Sequence, residues 1–181
     1  MSPCALVAVL GAESTGKSTL CRELADALPA IWVPEALRDF GQRHGRTPRA
    51  DEQAELVAEQ QARERDALVR ARALGLRWVL VDSAPLATAL YSEQLFDDSG
   101  LIAAALHHHG VYHHTLLTGL EPPWQADGIQ RDGPQARVDF HRRLVALLAR
   151  AKIAHRVLPG NPDARRAMAL HWLRDEASAL H

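Results

Sequence analysis

With 181 residues, 47% of them apolar and 24% charged, the chain has the size and composition of one globular domain with its own core, which excludes disordered, collagenous and fibrous classes. Its 21 basic and 22 acidic residues leave a net charge of -1, so the one-sided basic field of a general nucleic-acid binder is missing and a small molecule is the expected partner. Cys4 and Cys21 fall in no CxxC or Cys/His spacing and read as reduced thiols of a cytoplasmic protein; no apolar run approaches the roughly 20 residues of a membrane helix, and the N-terminus carries no basic leader.

Strand-like runs alternate with helical stretches along the whole chain, the pattern of parallel strands joined by crossover helices, so the expected fold is α/β. Cys4 to Leu10 is a continuous apolar run suited to a strand buried on both faces, ended by Gly11. A helix is predicted from Lys17 to Leu28, a short strand from Ala30 to Val33, and a helix from Pro34 to Gln42 with proline at its start. After a Gly/Pro/Arg-rich loop, Asp51 is the candidate cap of a long helix that stops at Gly75. Its stripe of Val57, Gln61, Glu64, Leu68 and Ala71 is polar in the middle, as for a helix bordering a cleft or one with a solvated end. Leu76 to Asp82 is a second buried strand that delivers an acid at its carboxyl end, and two helices fit Pro85–Leu95 and Leu101–His109. A strand at Tyr112–Thr118 leads into the irregular segment Gly119 to Pro134, long enough to read as a functional lid-like segment. Phe140, Leu144, Leu147 and Leu148 form a helical stripe, Ile153–Leu158 a last strand and Pro162–Leu180 a terminal helix.

The chemistry is carried first by Gly11-Ala12-Glu13-Ser14-Thr15-Gly16-Lys17-Ser18, a full GxxxxGKS between a buried strand and a helix, where its mechanism requires it. Glycines let the backbone wrap a phosphate, and successive N–H groups with the helix N-terminus supply positive potential. Lys17 reaches the terminal phosphates, the Ser18 hydroxyl ligates Mg²⁺, and Thr19 completes the cofactor-binding run. ATP and Mg²⁺ are the expected cofactors. Asp82 can hold Mg²⁺, through water, or accept a substrate hydroxyl proton; an N-cap is its plain alternative. Glu35 and Arg38 place a second acid and a base at the same sheet edge, for catalysis and substrate binding or as a surface ion pair. Arg131 and Arg137, in and just after the lid-like segment, are candidates to neutralise charge on a moving phosphoryl group. The histidines at 107–109, 113 and 114 do not converge as metal ligands do.

With Glu13-Ser14-Thr15 in the P-loop, Glu35-x-x-Arg38, VDSAPLATALYSE from Val81 to Glu93 and TGLEPPWQADGIQRDG from Thr118 to Gly133, the chain resembles the ribosylnicotinamide kinase domain of the NadR family over nearly its whole length. The Trp124-x-x-Asp127-Gly128 segment is the more specific mark and puts Trp124 and Asp127 among the expected substrate-binding residues. The resemblance implies ATP-dependent phosphorylation of nicotinamide riboside on an adenylate-kinase-like or nucleoside-kinase-like sheet. Where the family often has Asp-Thr-Asp, this chain reads Asp82-Ser83-Ala84, and the family's adenylyltransferase and helix-turn-helix parts have no place in these 181 residues. Trp32, Tyr91 and Trp124 are candidate faces for the pyridinium ring. Kinases of another nucleoside or small alcohol, or a regulatory ATP-binding protein, are the competing expectations.

Overall fold

The computed structural model describes residues 4–124 and 133–179. Five strands, β1 (Ala5–Leu10), β2 (Ala30–Val33), β3 (Trp78–Asp82), β4 (His114–Thr118) and β5 (Arg156–Leu158), form one parallel sheet in the order β2-β3-β1-β4-β5. Seven helices connect and flank them: α1 (Lys17–Ala27), α2 (Ala36–His44), α3 (Gln53–Ala73), α4 (Pro85–Phe96), α5 (Ile102–His109), α6 (Gly133–Arg150) and α7 (Pro162–Ala179). Every element expected from the sequence is present, with strand starts one or two residues later for β1, β3 and β4 and three later for β5. Among the described residues no helix is long and apolar enough to cross a membrane.

The two-residue period of β1 sorts its side chains into two core layers. Leu6, Ala8 and Leu10 join Val79, Val81 and Leu117 on one face, packed with Phe40, Leu56, Leu86 and Phe140 of the helices. Ala5, Val7 and Val9 join Trp78, Leu80 and Leu116 on the other, against Leu20 and Leu24 of α1 and Leu173 of α7. All six residues of β1 are buried, as its unbroken apolar run implies. Burial of both faces makes the central strand the rigid mount from which the following loop projects.

Two local expectations change. Asp51 is not the cap of α3: a 3₁₀ turn at Ala50–Glu52 precedes the helix, and Glu52 accepts the Arg49 N–H at 2.8 Å and both Nη atoms of Arg46 at 2.7 Å. The polar middle of α3 does not border the cleft either. Gln60 Oε1 accepts the first N–H of α2, at Ala36, at 2.8 Å, and buried Glu64 lies 2.8 Å from His108 Nε2 of α5. These polar side chains are turned inward because they satisfy a neighbouring helix end and a neighbouring ring.

The end of β1 is also where two elements touch most closely. A Cβ at Gly11 would collide with Thr118 Oγ1 at the end of β4, a hydroxyl that lies 2.8 Å from Thr15 Oγ1 and donates to Leu10 O at 3.2 Å. Gly11→Ala should therefore lower stability by about 2 kcal/mol, the usual scale of overpacking, and Thr118→Ala in the same chain should recover part of the loss. Urea unfolding of the two variants checks it; a single Gly11→Ala variant as stable as the parent would refute the close approach.

Candidate active site

All five strands run the same way, so their carboxyl ends meet at one edge, and the loops leaving them line a cavity of about 790 Å³. Residues 13–19 form its floor. The loop holds its shape through short contacts: Thr15 Oγ1 donates to Ala12 O at 2.8 Å, and Lys17 Nζ, at the start of α1, donates to Ala12 O at 2.8 Å. Gly16, at φ 82°, takes the left-handed conformation that caps α1 without a side chain, and Ser14 is left-handed as well, at φ 51°. The ammonium of Lys17 is thus stored over the loop on one neutral carbonyl, an exchangeable partner for a phosphate oxygen.

Two carboxylates lie beside this loop. Asp82 ends β3, opposite Val9 of β1 in the ladder, and is 1% exposed, with no hydrogen-bond partner on either oxygen among the described residues. Glu35 stands at the residue before α2, just after β2, without a side-chain bond to the helix end, and lines the cavity. Burial and the neighbouring Asp82 charge push the Glu35 carboxyl up to about 7, against the opposing pull of Lys17, Arg38 and the Ser83 hydroxyl. Ser83 sits at φ 55°, a left-handed turn that places its hydroxyl on Glu35 at a backbone cost of about 1 kcal/mol. A buried carboxylate without hydrogen-bond donors, next to the Ser18 hydroxyl's loop, is a donor set that fits a hard divalent cation such as Mg²⁺.

One wall of the cavity is made by Glu35, Leu37, Arg38, Gly41 and Gln42 with Tyr91 of α4; the opposite wall is made by Glu121, Pro122 and Pro123 with Gly160, Asn161 and Pro162. The Tyr91 ring stacks on Phe140 with centroids 4.0 Å apart, which fixes the orientation of its ring at the wall.

The structure therefore gathers Glu13, Ser14, Thr15, Gly16, Lys17, Ser18, Thr19, Glu35, Arg38 and Tyr91 around one cavity, with Gly11 and Asp82 at the strand ends behind it. Trp32 is not with them: it packs in the second core layer and does not line the cavity. Trp124 donates from its indole N–H to Glu13 Oε1 at 2.8 Å, joining the start of the lid-like segment to the P-loop. Arg137 is buried on α6 and donates to Leu120 O at 3.2 Å and Pro122 O at 2.7 Å, so it braces that segment's entry. Asp127 and Arg131 lie outside the described residues.

Sequence reasoning missed Ser83, Thr118, Glu121, Arg165 and the Gly160-Asn161-Pro162 wall. A threonine at a strand end, or one arginine among many on a helix, has no local pattern that marks it; only the strand order brings them to the cavity. Among the described residues no group of three or more His, Cys, Asp and Glu has the arrangement of a metal site. His109 Nε2 pairs with Thr115 Oγ1 at 2.9 Å, and burial pushes its ring down to about 4.

A phosphate-cradling loop on the central strand of a five-stranded parallel sheet, with an acid at the neighbouring strand's end, defines a P-loop nucleotide-binding protein of the P-loop kinase fold. A family model described as "AAA domain" matches residues 6–165, and the chain belongs to that family. Among solved structures it is similar to NadR in complex with NR, at 20% identity and TM-score 0.76, with 96% of this chain and 50% of that one covered. It is likewise similar to NadR in complex with NAD and AMP-PNP, at 21% identity and TM-score 0.70, covering 96% of this chain and 49% of that one. Thymidylate kinase from Ehrlichia chaffeensis matches at 13% identity and TM-score 0.65, over 94% and 98% of the two chains. The chain spans about half the length of the NadR chains it matches. No curated protein matches the sequence.

Because folding raises Glu35 from 4.5 to about 7, the native state holds this proton more tightly than the unfolded chain does. The stabilisation it contributes is complete below pH 4.5 and is lost as pH rises through about 7. Thermal melts across that range should show the parent declining relative to Glu35→Gln; parallel curves for the two proteins would remove Glu35 as the titrating group.

Proposed function

We propose that the protein is a cytoplasmic ATP- and Mg²⁺-dependent kinase that phosphorylates the 5′-hydroxyl of nicotinamide riboside. The observation that carries the reading is the pair of carboxylates beside the P-loop, Glu35 at the cavity wall and Asp82 at the strand end behind it, with Glu35 poised near neutrality. A hydroxyl nucleophile needs a base whose pKa lies near the working pH, and a transferring phosphoryl needs cations on the opposite side; the cavity supplies both.

In this reading the P-loop N–H groups and Lys17 hold the triphosphate, Lys17 exchanging the Ala12 carbonyl for a phosphate oxygen. Ser18 and Asp82 would hold Mg²⁺, which screens the phosphate charge. The riboside hydroxyl oxygen forms the new bond to the γ-phosphorus as its proton passes to a carboxylate, Glu35 or Asp82, and the bond to the β,γ-bridging oxygen breaks, leaving ADP. Arg137 and Arg131 are the candidates to face the transferring group, Arg137 from the base of the lid-like segment. Arg38, Trp124 and Asp127 complete the proposed acceptor contacts.

Charge and the resemblance to NadR, one structure of which is a complex with NR, support this acceptor. A pyridinium riboside carries a fixed positive charge, which two carboxylates and an aromatic face attract without the hydrogen-bond pattern a neutral base demands. Glu35 and the braced Tyr91 ring at the cavity, with Asp82 behind it, would supply these elements. Cys4 and Cys21, buried and unpaired, suit a reducing compartment.

The purified chain with ATP and Mg²⁺ should convert nicotinamide riboside to nicotinamide mononucleotide, read by chromatography. Lys17→Ala should lower kcat by about 10²–10³-fold, the scale for a lost transition-state cation, with the fold intact by circular dichroism. Ser18→Ala should raise the Mg²⁺ concentration needed for half-maximal rate. Phosphorylation of another nucleoside with no nicotinamide mononucleotide formed from the riboside overturns the acceptor and keeps the kinase; parental turnover by soluble Lys17→Ala overturns the kinase site.

A further inference from the structure

A guanidinium 2% exposed sits behind the P-loop, on the first turn of α7, and nothing in phosphoryl transfer as described above requires it. Arg165 Nη1 donates to Thr15 O at 2.6 Å; Nη2 donates to Gly119 O at 3.1 Å and to Glu121 Oε2 at 2.5 Å. The Glu121 carboxylate accepts its own backbone N–H, the Arg165 guanidinium and the backbone N–H of Gly160, and these bonds, the first the strongest, hold its carboxyl below the usual carboxylate range. One ion pair thus ties together three strand-end loops: the P-loop after β1, the exit of β4 and the turn between β5 and α7. Burying a cation costs several kcal/mol unless its partners are well placed, so a buried arginine spent on carbonyls marks a geometry that must be held.

We propose that Arg165, with Glu121, is the positioning residue that keeps the P-loop in its phosphate-binding shape. The peptide between Thr15 and Gly16 is planar and trans, so a Thr15 carbonyl drawn back onto Arg165 directs the Gly16 N–H the opposite way, into the loop's hollow where an anion would sit. The residues on either side of Thr15 need that support, because Ser14 and Gly16 are both left-handed, at φ 51° and 82°. Released from Arg165, this peptide can rotate and withdraw a phosphate donor. The same pair fixes Glu121 and Gly160 on the wall opposite Glu35, so it sets floor and wall together.

The proposal rests on the P-loop nucleotide reading and is independent of the acceptor, so its test is binding of AMP-PNP with Mg²⁺ by titration calorimetry. Arg165→Met should weaken AMP-PNP binding at least tenfold. Arg165→Lys, which keeps a charge for Glu121 but not the forked donors, should fall between that variant and the parent, and Glu121→Gln should cost a smaller, two- to fivefold loss. A purely structural role predicts lower melting temperatures with AMP-PNP affinity unchanged in the folded protein, and that result overturns the proposal. If Arg165→Met does not fold, Arg165→Lys and Glu121→Gln decide: parental affinity in both refutes it. A parent that binds no AMP-PNP overturns the nucleotide reading itself, and the proposal with it.

Discussion

The site depends on a short-range constraint: the loop after β1 must turn back tightly enough for its backbone to enclose an anion. It achieves this by omitting a side chain at Gly11, where Thr118 presses in from β4, and by a small network of neutral hydrogen bonds among Ala12, Thr15, Thr118 and Leu10. Loop shape and strand pairing are therefore one problem. The hydroxyl that ends β4 is both a filler of the space above Gly11 and a partner of the loop's own threonine, so displacing β4 displaces the cradle.

The electrostatics of the cavity follow from the same strand arrangement. β3 lies between β1 and β2, so Asp82 at the end of β3 and Glu35 after β2 are brought side by side and share one patch of low polarisability. Burial and the repulsion between two carboxyls so placed raise the Glu35 carboxyl. A single lysine and a single exposed arginine on the same side only partly offset this, leaving Glu35 divided between charged and neutral forms near neutral pH. The strand order thereby places one acid behind the floor and the other at the wall, where it can exchange a proton with what the cavity holds.

The strands, their parallel sense and the phosphate loop could be read from the chain because each carries a local signal: unbroken apolar runs, helical stripes and a glycine pattern with one mechanical meaning. Asp82 and Glu35 were legible because strand ends in such sheets converge. What could not be read depends on side-chain direction across the fold. Trp32 and Tyr91 are equally plausible as aromatic walls in the sequence, yet the pleat of β2 sends the first into the layer beneath α1, while α4 presents the second to the cavity. Glu64 and Gln61 look like a cleft border by composition, but neither lines the cavity, and Glu64 lies against His108. Arg165 is one more basic residue on a helix until α7 is laid over the P-loop.

The order of the strands also partitions mechanical stiffness. β1 is buried along its whole length at the centre, whereas β2 is buried at only its last residue and β5 likewise at only its last, and these two are the edges of the sheet. The loop after β2 and the Gly160-Asn161-Pro162 turn after β5, one on each wall of the cavity, issue from those edges, so local opening there breaks few ladder bonds, while the floor can open only with the core. Hydrogen-exchange protection should accordingly be steepest under the phosphate loop and shallow at both walls. Such a division lets mutation reshape what the walls recognise without disturbing the part that grips phosphate, the route by which one scaffold serves many acceptors.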